Sequence, residues 1–238
     1  MSHEQINPYV SVDCVVLGFD GRQLNVLLVR QREEGTDENS TGYYKLPGSL
    51  IYMHETLDEA AQRVLRQLTG LSQVNLYQFY AFGALNRLDN QRDRVWLEHF
   101  HRLEKSLERI VSVGYFSLIR INRTMLQLDK GYEACWMPLS DLPQLAFDHN
   151  DIISKAMEKI AGVVEAMPEI VFSLLPRKFT ASQLFYAYSA TTGKTMDIRN
   201  FHKKLHTMPF VVPLEEKQKD VNHRAARLYR FDRRLLVP

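Results

Sequence analysis

The chain has 238 residues, 30 Lys+Arg against 28 Asp+Glu, 45% hydrophobic and 24% charged, a profile with enough apolar material for a sizeable core. Disorder and collagen-like repetition are excluded, and no run of 18 apolar residues is present to span a membrane. The first ten residues lack the basic start and apolar stretch of a secretory leader, and Cys14 and Cys135 sit in apolar runs without neighbouring ligands, so a cytoplasmic protein with reduced core thiols is expected.

From residue 9, YVSVDCVVLGF reads as a strand, Asp20 and Gly21 as a hairpin turn, and LNVLLVR as a second strand. The loop EEGTDENSTG holds too few apolar residues to pack. After YYKLPGS, Leu57, Ala60, Ala61, Val64, Leu65 and Leu68 fall at helical spacing and predict a helix with one buried face, ended by Gly70. Further strands are predicted at 75–84, 110–121 and 132–137, so strands surround a helix in mixed order, as in an α/β or α+β domain over residues 1–150. Trp96, Phe100, Leu103, Leu107 and Ile110 predict a short amphipathic helix, read as packing on the sheet, with a dimer contact as the sharper alternative. Ile152, Ile153, Ala156, Ile160, Val163 and Val164 predict a helix over 150–166, stopped before Pro168; residues 151–175 are taken as connecting helix and linker.

The charge is segregated. Residues 176–238 hold 13 Lys+Arg against 5 Asp+Glu, leaving 17 against 23 for the rest, and a basic module is attractive to a polyanion. Within it, Thr180 can cap a helix with the stripe Leu184, Phe185 and Tyr188; Gly193 can end that helix and Asp197 can cap a second, which makes a helix-turn-helix. On the second helix Ile198, Phe201, Leu205 and Met208 are predicted to face inward, and Arg199, Asn200, Lys203, His206 and Thr207 outward. Arg suits guanine, Asn adenine and Lys phosphate, which is the composition of a major-groove reader. The segments around FVVP and ARLYRF can pair as a hairpin whose polar tip forms a wing, with Arg224, Arg227 and Arg230 suited to phosphate. Lys178, Thr180, Ser182 and Lys204 complete the expected contact set, and the expected partner is double-stranded DNA.

Residues 46–71, LPGSLIYMHETLDEAAQRVLRQLTGL, resemble a Nudix box, the loop-helix-loop whose glutamates hold Mg²⁺ against a pyrophosphate. Arg63 is kept, but the glutamate positions read Val64, Gln67 and Leu68, and hard cations need oxygen ligands. The resemblance therefore implies the fold without the metal, and neither catalytic residue nor cofactor is expected. Glu55 and Arg63 are read as a bridge from loop to helix, and Asp58 and Glu59 as a first turn complementing the helix dipole. Because the cleft beside this helix holds the family's substrates, Tyr44, Lys45, Ser49, Tyr52 and His54 become candidate effector contacts.

The stretches LPQLAFDHNDII, FSLLPRKFTASQL, MDIRNFHKKL and RAARLYRF extend the likeness to Nudix-related transcriptional regulators, in which an often degenerate Nudix domain senses a small molecule and a winged helix binds operator DNA. This implies a Nudix fold with a C-terminal winged helix-turn-helix over 176–238, a homodimer matching a two-fold operator, repression, and a pentose or ADP-ribose-like effector. Gly48 is the sole remnant of a glycine-rich phosphate cradle, which tilts the expectation towards a sugar. The alternative is a Nudix hydrolase of ADP-ribose or another nucleoside diphosphate derivative, with a basic appendage.

Overall fold

The computed structural model describes residues 5–31, 44–91, 93–94, 97, 109–121, 132–194, 197–219 and 225–236. The fold divides into two units: residues 1–17, 25–117 and 122–159 form the first, and residues 18–24, 118–121 and 160–238 the second.

A six-stranded sheet organises the first unit. Its strands are β1 (Ile6–Phe19), β2 (Leu24–Gln31), β3 (Gly48–Tyr52), β4 (Tyr77–Phe82), β5 (Val111–Arg120) and β6 (Tyr132–Pro138), in the order β4-β5-β1-β2-β6 with β3 paired to β1. Val12 and the run from Cys14 to Leu17 are fully buried, as are Val26–Val29, the near-continuous apolar pattern of strands covered on both faces. β2 and β6 run antiparallel from Asn25 opposite Pro138 to Gln31 opposite Tyr132.

Helix α1 (Leu57–Thr69) is capped as its sequence dictates. The Thr56 hydroxyl accepts from the Glu59 N–H while the Glu59 carboxylate accepts from Thr56, and Gly70 closes the helix in the left-handed region at φ 71°. Its stripe of Ala60, Ala61, Val64, Leu65 and Leu68 is buried, and the helix packs on β3 and β6. Asp58 accepts from the Tyr115 hydroxyl at 2.6 Å, a tertiary contact as well as a favourable charge at the helix start.

The segment after LPGS corrects one expectation. Gly48–Tyr52, read from sequence as a loop into the helix, is a strand pairing antiparallel with β1, with Asp13 opposite Gly48, Val12 opposite Ser49 and Ser11 opposite Leu50. Five residues with only two or three apolar ones carry too little periodicity to announce a strand. Cys135 is half-buried, so of the two free thiols only Cys14 belongs to the core. The predicted stripe of Trp96, Phe100, Leu103 and Leu107 lies outside the described residues.

Helix α2 (His149–Ala166) stops before Pro168; its Ile152, Ile153, Ala156, Ile160 and Val164 are buried, and the division between the units falls after Lys159. The second unit continues with a 3-10 turn over Pro168–Leu174, then β7 (Phe179–Thr180), α3 (Ala181–Thr192), α4 (Ile198–His206), β8 (Val211–Lys217) and β9 (Arg227–Phe231). The three strands form a sheet in the order β7-β9-β8. Phe172 stacks on Phe231 at 4.4 Å and meets Phe179 at 5.5 Å and Phe210 at 5.9 Å, fixing the turn against the sheet. Across the helix pair, Phe185 meets Phe201 at 5.3 Å. Thr180 and Gln183 make a second reciprocal cap, and Gly193 at φ 65° ends α3. This is a winged helix-turn-helix with β8 and β9 as the wing.

Candidate functional site

In the first unit a cavity of about 40 Å³ is lined by Ser11 and Asp13 from β1, Lys45, Gly48 and Ser49 around the start of β3, Arg87 and Leu88 from the 3-10 turn Leu85–Leu88, Leu97, Ile110, Phe147 and His149. Alternation along β1 puts Ser11 and Asp13 on one face.

Asp13 is the centre of the polar side. Its carboxylate accepts from the Ser112 hydroxyl, lies 3.4 Å from His149 Nε2 and 3.7 Å from an Arg87 nitrogen, and is buried. Burial alone would push this carboxyl up, but His149, Arg87 and the Ser112 hydroxyl outweigh it and hold it well below the usual carboxylate range. The Leu46 N–H donates to His149 Nδ1 at 2.9 Å, which leaves the imidazole proton on Nε2, facing Asp13. Arg87 grips Asp148 through two bonds of 2.6 and 2.8 Å and donates to the Phe82 carbonyl. Lys45 donates to the Gly48 carbonyl at 2.7 Å, and its burial lowers the ammonium to about 8, partly offset by Asp13. A carbon at the Cβ position of Gly48 would sit 1.8 Å from Asp13 Oδ1, so this glycine makes room for the carboxylate.

Of the five effector contacts expected from sequence, the cavity gathers Lys45 and Ser49. The other three lie elsewhere. Tyr52 packs under the Arg63 guanidinium at 3.9 Å, His54 stacks on Tyr52 at 5.8 Å, and Tyr44 lies beneath Arg30 at 5.6 Å. Sequence reasoning missed Ser11, Asp13, Arg87, Phe147 and His149. Asp13, an acid inside an apolar strand, was the available signal, because such a group must be partnered.

The box helix presents different chemistry. Arg63 donates twice to Glu55, at 2.8 and 2.5 Å, once to the Leu50 carbonyl and once to Gln67, while Glu55 also accepts from the Tyr52 N–H at 2.8 Å. Burial raises the Glu55 carboxyl, but Arg63 and the Tyr52 N–H bring it below its ordinary value. Val64 and Leu68 are buried in the core. The family's Mg²⁺ does not fit this donor set: two of the three box positions offer no oxygen, and the amide oxygen of the third is engaged by Arg63. Among the described residues no group of three His, Cys, Asp or Glu is placed to hold a metal ion.

In the second unit, Phe201 and Leu205 of α4 are buried, while Arg199, Asn200, Lys203 and His206 are exposed and carry no ion pair among the described residues. Three assignments change. Ile198 is 44% exposed rather than inward. Lys204 lies against Tyr188, its ammonium 3.0 Å from the hydroxyl and 4.5 Å from the ring centre. Thr180 is buried and its hydroxyl is committed to capping α3. Ser182 is exposed one position into α3. Several bases expected to meet DNA are already paired: Lys178 with Glu216, Arg227 with Glu215 and the Leu214 carbonyl, and Arg230 with Asp232. Arg224 lies outside the described residues.

Residues 7–158 match the model of the NUDIX domain, and residues 171–231 match that of the NrtR DNA-binding winged helix domain. Among solved structures, Shewanella oneidensis NrtR is similar at a TM-score of 0.67 and 23% identity, covering 94% of each chain. The same protein complexed with a 27mer DNA gives 0.65 and 22%, over 94% of this chain and 93% of that one. A MutT/nudix family protein from Enterococcus faecalis gives 0.62 and 21%, over 95% and 88%. At these identities the likeness fixes the fold. No curated protein matches the chain in sequence. The chain belongs to the Nudix family, as an NrtR-like DNA-binding regulator in which a Nudix domain precedes a winged helix.

Proposed function

We propose that the protein is a ligand-responsive repressor, acting as a homodimer, whose Nudix domain binds a sugar-bearing effector without hydrolysing it. The observation that carries this reading is the contrast between a box helix without metal-binding carboxylates and a nearby cavity lined by hydrogen-bonding groups. Ligand recognition needs a shaped cleft and a few polar groups, not a catalytic ion.

The cavity's chemistry favours hydroxyls. Asp13 supplies an acceptor, Lys45, Arg87 and His149 supply donors, and Phe147, Leu97 and Ile110 supply apolar wall. A sugar hydroxyl both donates and accepts, whereas a phosphate at this point would face the Asp13 carboxylate. The effector is therefore a free pentose or the ribose end of an ADP-ribose-like nucleotide. Helix α2 begins at the cavity with His149 and its last turns belong to the second unit, so a ligand that shifts His149 acts on the element leading to the DNA-binding module. Such a ligand regulates only through unequal affinity for the DNA-competent and incompetent arrangements.

The test is operator binding, using genomic sites that the protein occupies, with and without pentoses and ADP-ribose, the ligand crystallised with the Nudix domain of S. oneidensis NrtR. One of these should weaken operator binding. Unchanged affinity with every ligand that stabilises the Nudix domain would remove the coupling, and Mg²⁺-dependent cleavage of ADP-ribose would favour a hydrolase instead.

A further inference from the structure

The N-terminal turn of α4 is chemically unlike the rest of that helix. Asp197 caps it, its carboxylate accepting from the N–H groups of Arg199 at 2.9 Å and Asn200 at 3.1 Å. The free N–H groups and positive dipole end that would attract a phosphate are thus met by a negative charge. The bases Lys203 and His206 stand towards the other end. Beside the capping aspartate, Ile198 is 44% exposed, whereas Phe201 and Leu205 of the same helix are 1% and 2% exposed. Its neighbours Arg199 and Asn200 are exposed and carry the side chains that pair with guanine and adenine edges.

This arrangement orients the helix. A phosphate beside Asp197 would be repelled, so the first turn belongs over base edges and the basic end over the backbone, as in helix-turn-helix docking where the N-terminal residues of the recognition helix meet the bases. In the major groove the apolar feature available to an exposed isoleucine is the 5-methyl group of thymine. We propose that Ile198 is a specificity-determining residue that packs on a thymine methyl of the operator. The inference rests on the DNA-binding reading above and adds a base that this reading did not assign.

The experiment uses the full-length protein. Preferred duplexes are selected from random DNA, and each thymine of the best one is replaced in turn by deoxyuridine, which removes the methyl and leaves the hydrogen-bonding edge intact. Affinities are measured at one salt concentration for the wild type, Ile198→Val and Ile198→Ala. Burial of one methyl group, at about 0.8 kcal/mol, corresponds to about fourfold in Kd. The expected result is one position where uracil weakens the wild type and Ile198→Val by about that factor and leaves Ile198→Ala unaffected. Equal uracil losses in wild type and Ile198→Ala, or no uracil-sensitive position, would overturn it. So would a change in oligomeric state on Ile198→Ala, which would place the side chain in a subunit contact. If no duplex is selected at all, the DNA-binding reading falls and this inference with it.

Discussion

Two of the Nudix domain's ion-pair systems differ in what they leave available. Around α1, Arg63 spends its donors on Glu55, the Leu50 carbonyl and Gln67, with Tyr52 stacked beneath it. Around Asp13 the charges also pair, yet the groups that pair line a cavity. The first system is closed on itself and holds a loop to a helix. The second can exchange a bond to its neighbour for one to a ligand. A charged residue in a family motif is therefore no guide to function until its donors and acceptors are accounted for.

The largest expected effect that separates the two is Asp13→Ala. It leaves the buried Ser112 hydroxyl and the His149 Nε2–H without an acceptor and removes one of the two carboxylates facing Arg87, and denaturant unfolding should report a loss of about 3–5 kcal/mol. The gentler Asp13→Asn should keep the fold and abolish the ligand's effect on operator binding. If Asp13→Asn responds to ligand like the wild type, the cavity is not the effector site.

Lys45 gives the next effect, through pH. Burial lowers its ammonium from 10.5 to about 8, so between those values the unfolded chain binds more protons and stability rises with pH. The charged form costs the fold about 3 kcal/mol below that window. Lys45→Met should flatten the rise between pH 8 and 10.5 in urea unfolding, and an identical slope in wild type and variant would contradict the burial of a charge there.

At the closed system, Glu55→Gln should cost about 2 kcal/mol, the worth of charge-assisted hydrogen bonds, with the ligand response intact. The wild-type contribution is present above the unfolded glutamate value and is lost as the pH falls through the lower folded one. Loss of the ligand response in this variant would erase the distinction between the two systems.

On α4, Arg199→Ala should cost about 1–3 kcal/mol on one preferred sequence, while Lys203→Ala should weaken all sequences alike and reduce the salt slope by roughly 0.9. Equal, sequence-blind losses would contradict the helix's placement.

Much of this was legible in the sequence. The α1 stripe, the caps at Thr180 and Asp197 and the left-handed stops at Gly70 and Gly193 are local rules, and the helices follow them. β3 and the two-residue β7 were not legible, because short strands take their identity from the partner they pair with. The site was half legible. Lys45 and Ser49 adjoin the recognised motif, whereas Arg87 and His149 reach the cavity from distant stretches of chain, and only Asp13 signalled its role by being an acid in an apolar run. Gly48 shows how a motif residue misleads: read as a phosphate cradle, it is the gap that admits the Asp13 carboxylate.

The central claim is that this Nudix domain receives a ligand rather than cleaving one. It is tested most directly by titrating the occupied genomic operator with protein and Mg²⁺, with and without each candidate sugar or ADP-ribose, and recovering the ligand afterwards for mass analysis. The account predicts that one ligand shifts the operator Kd and is recovered whole. An operator Kd indifferent to every ligand, with ADP-ribose recovered as cleaved products, would contradict it.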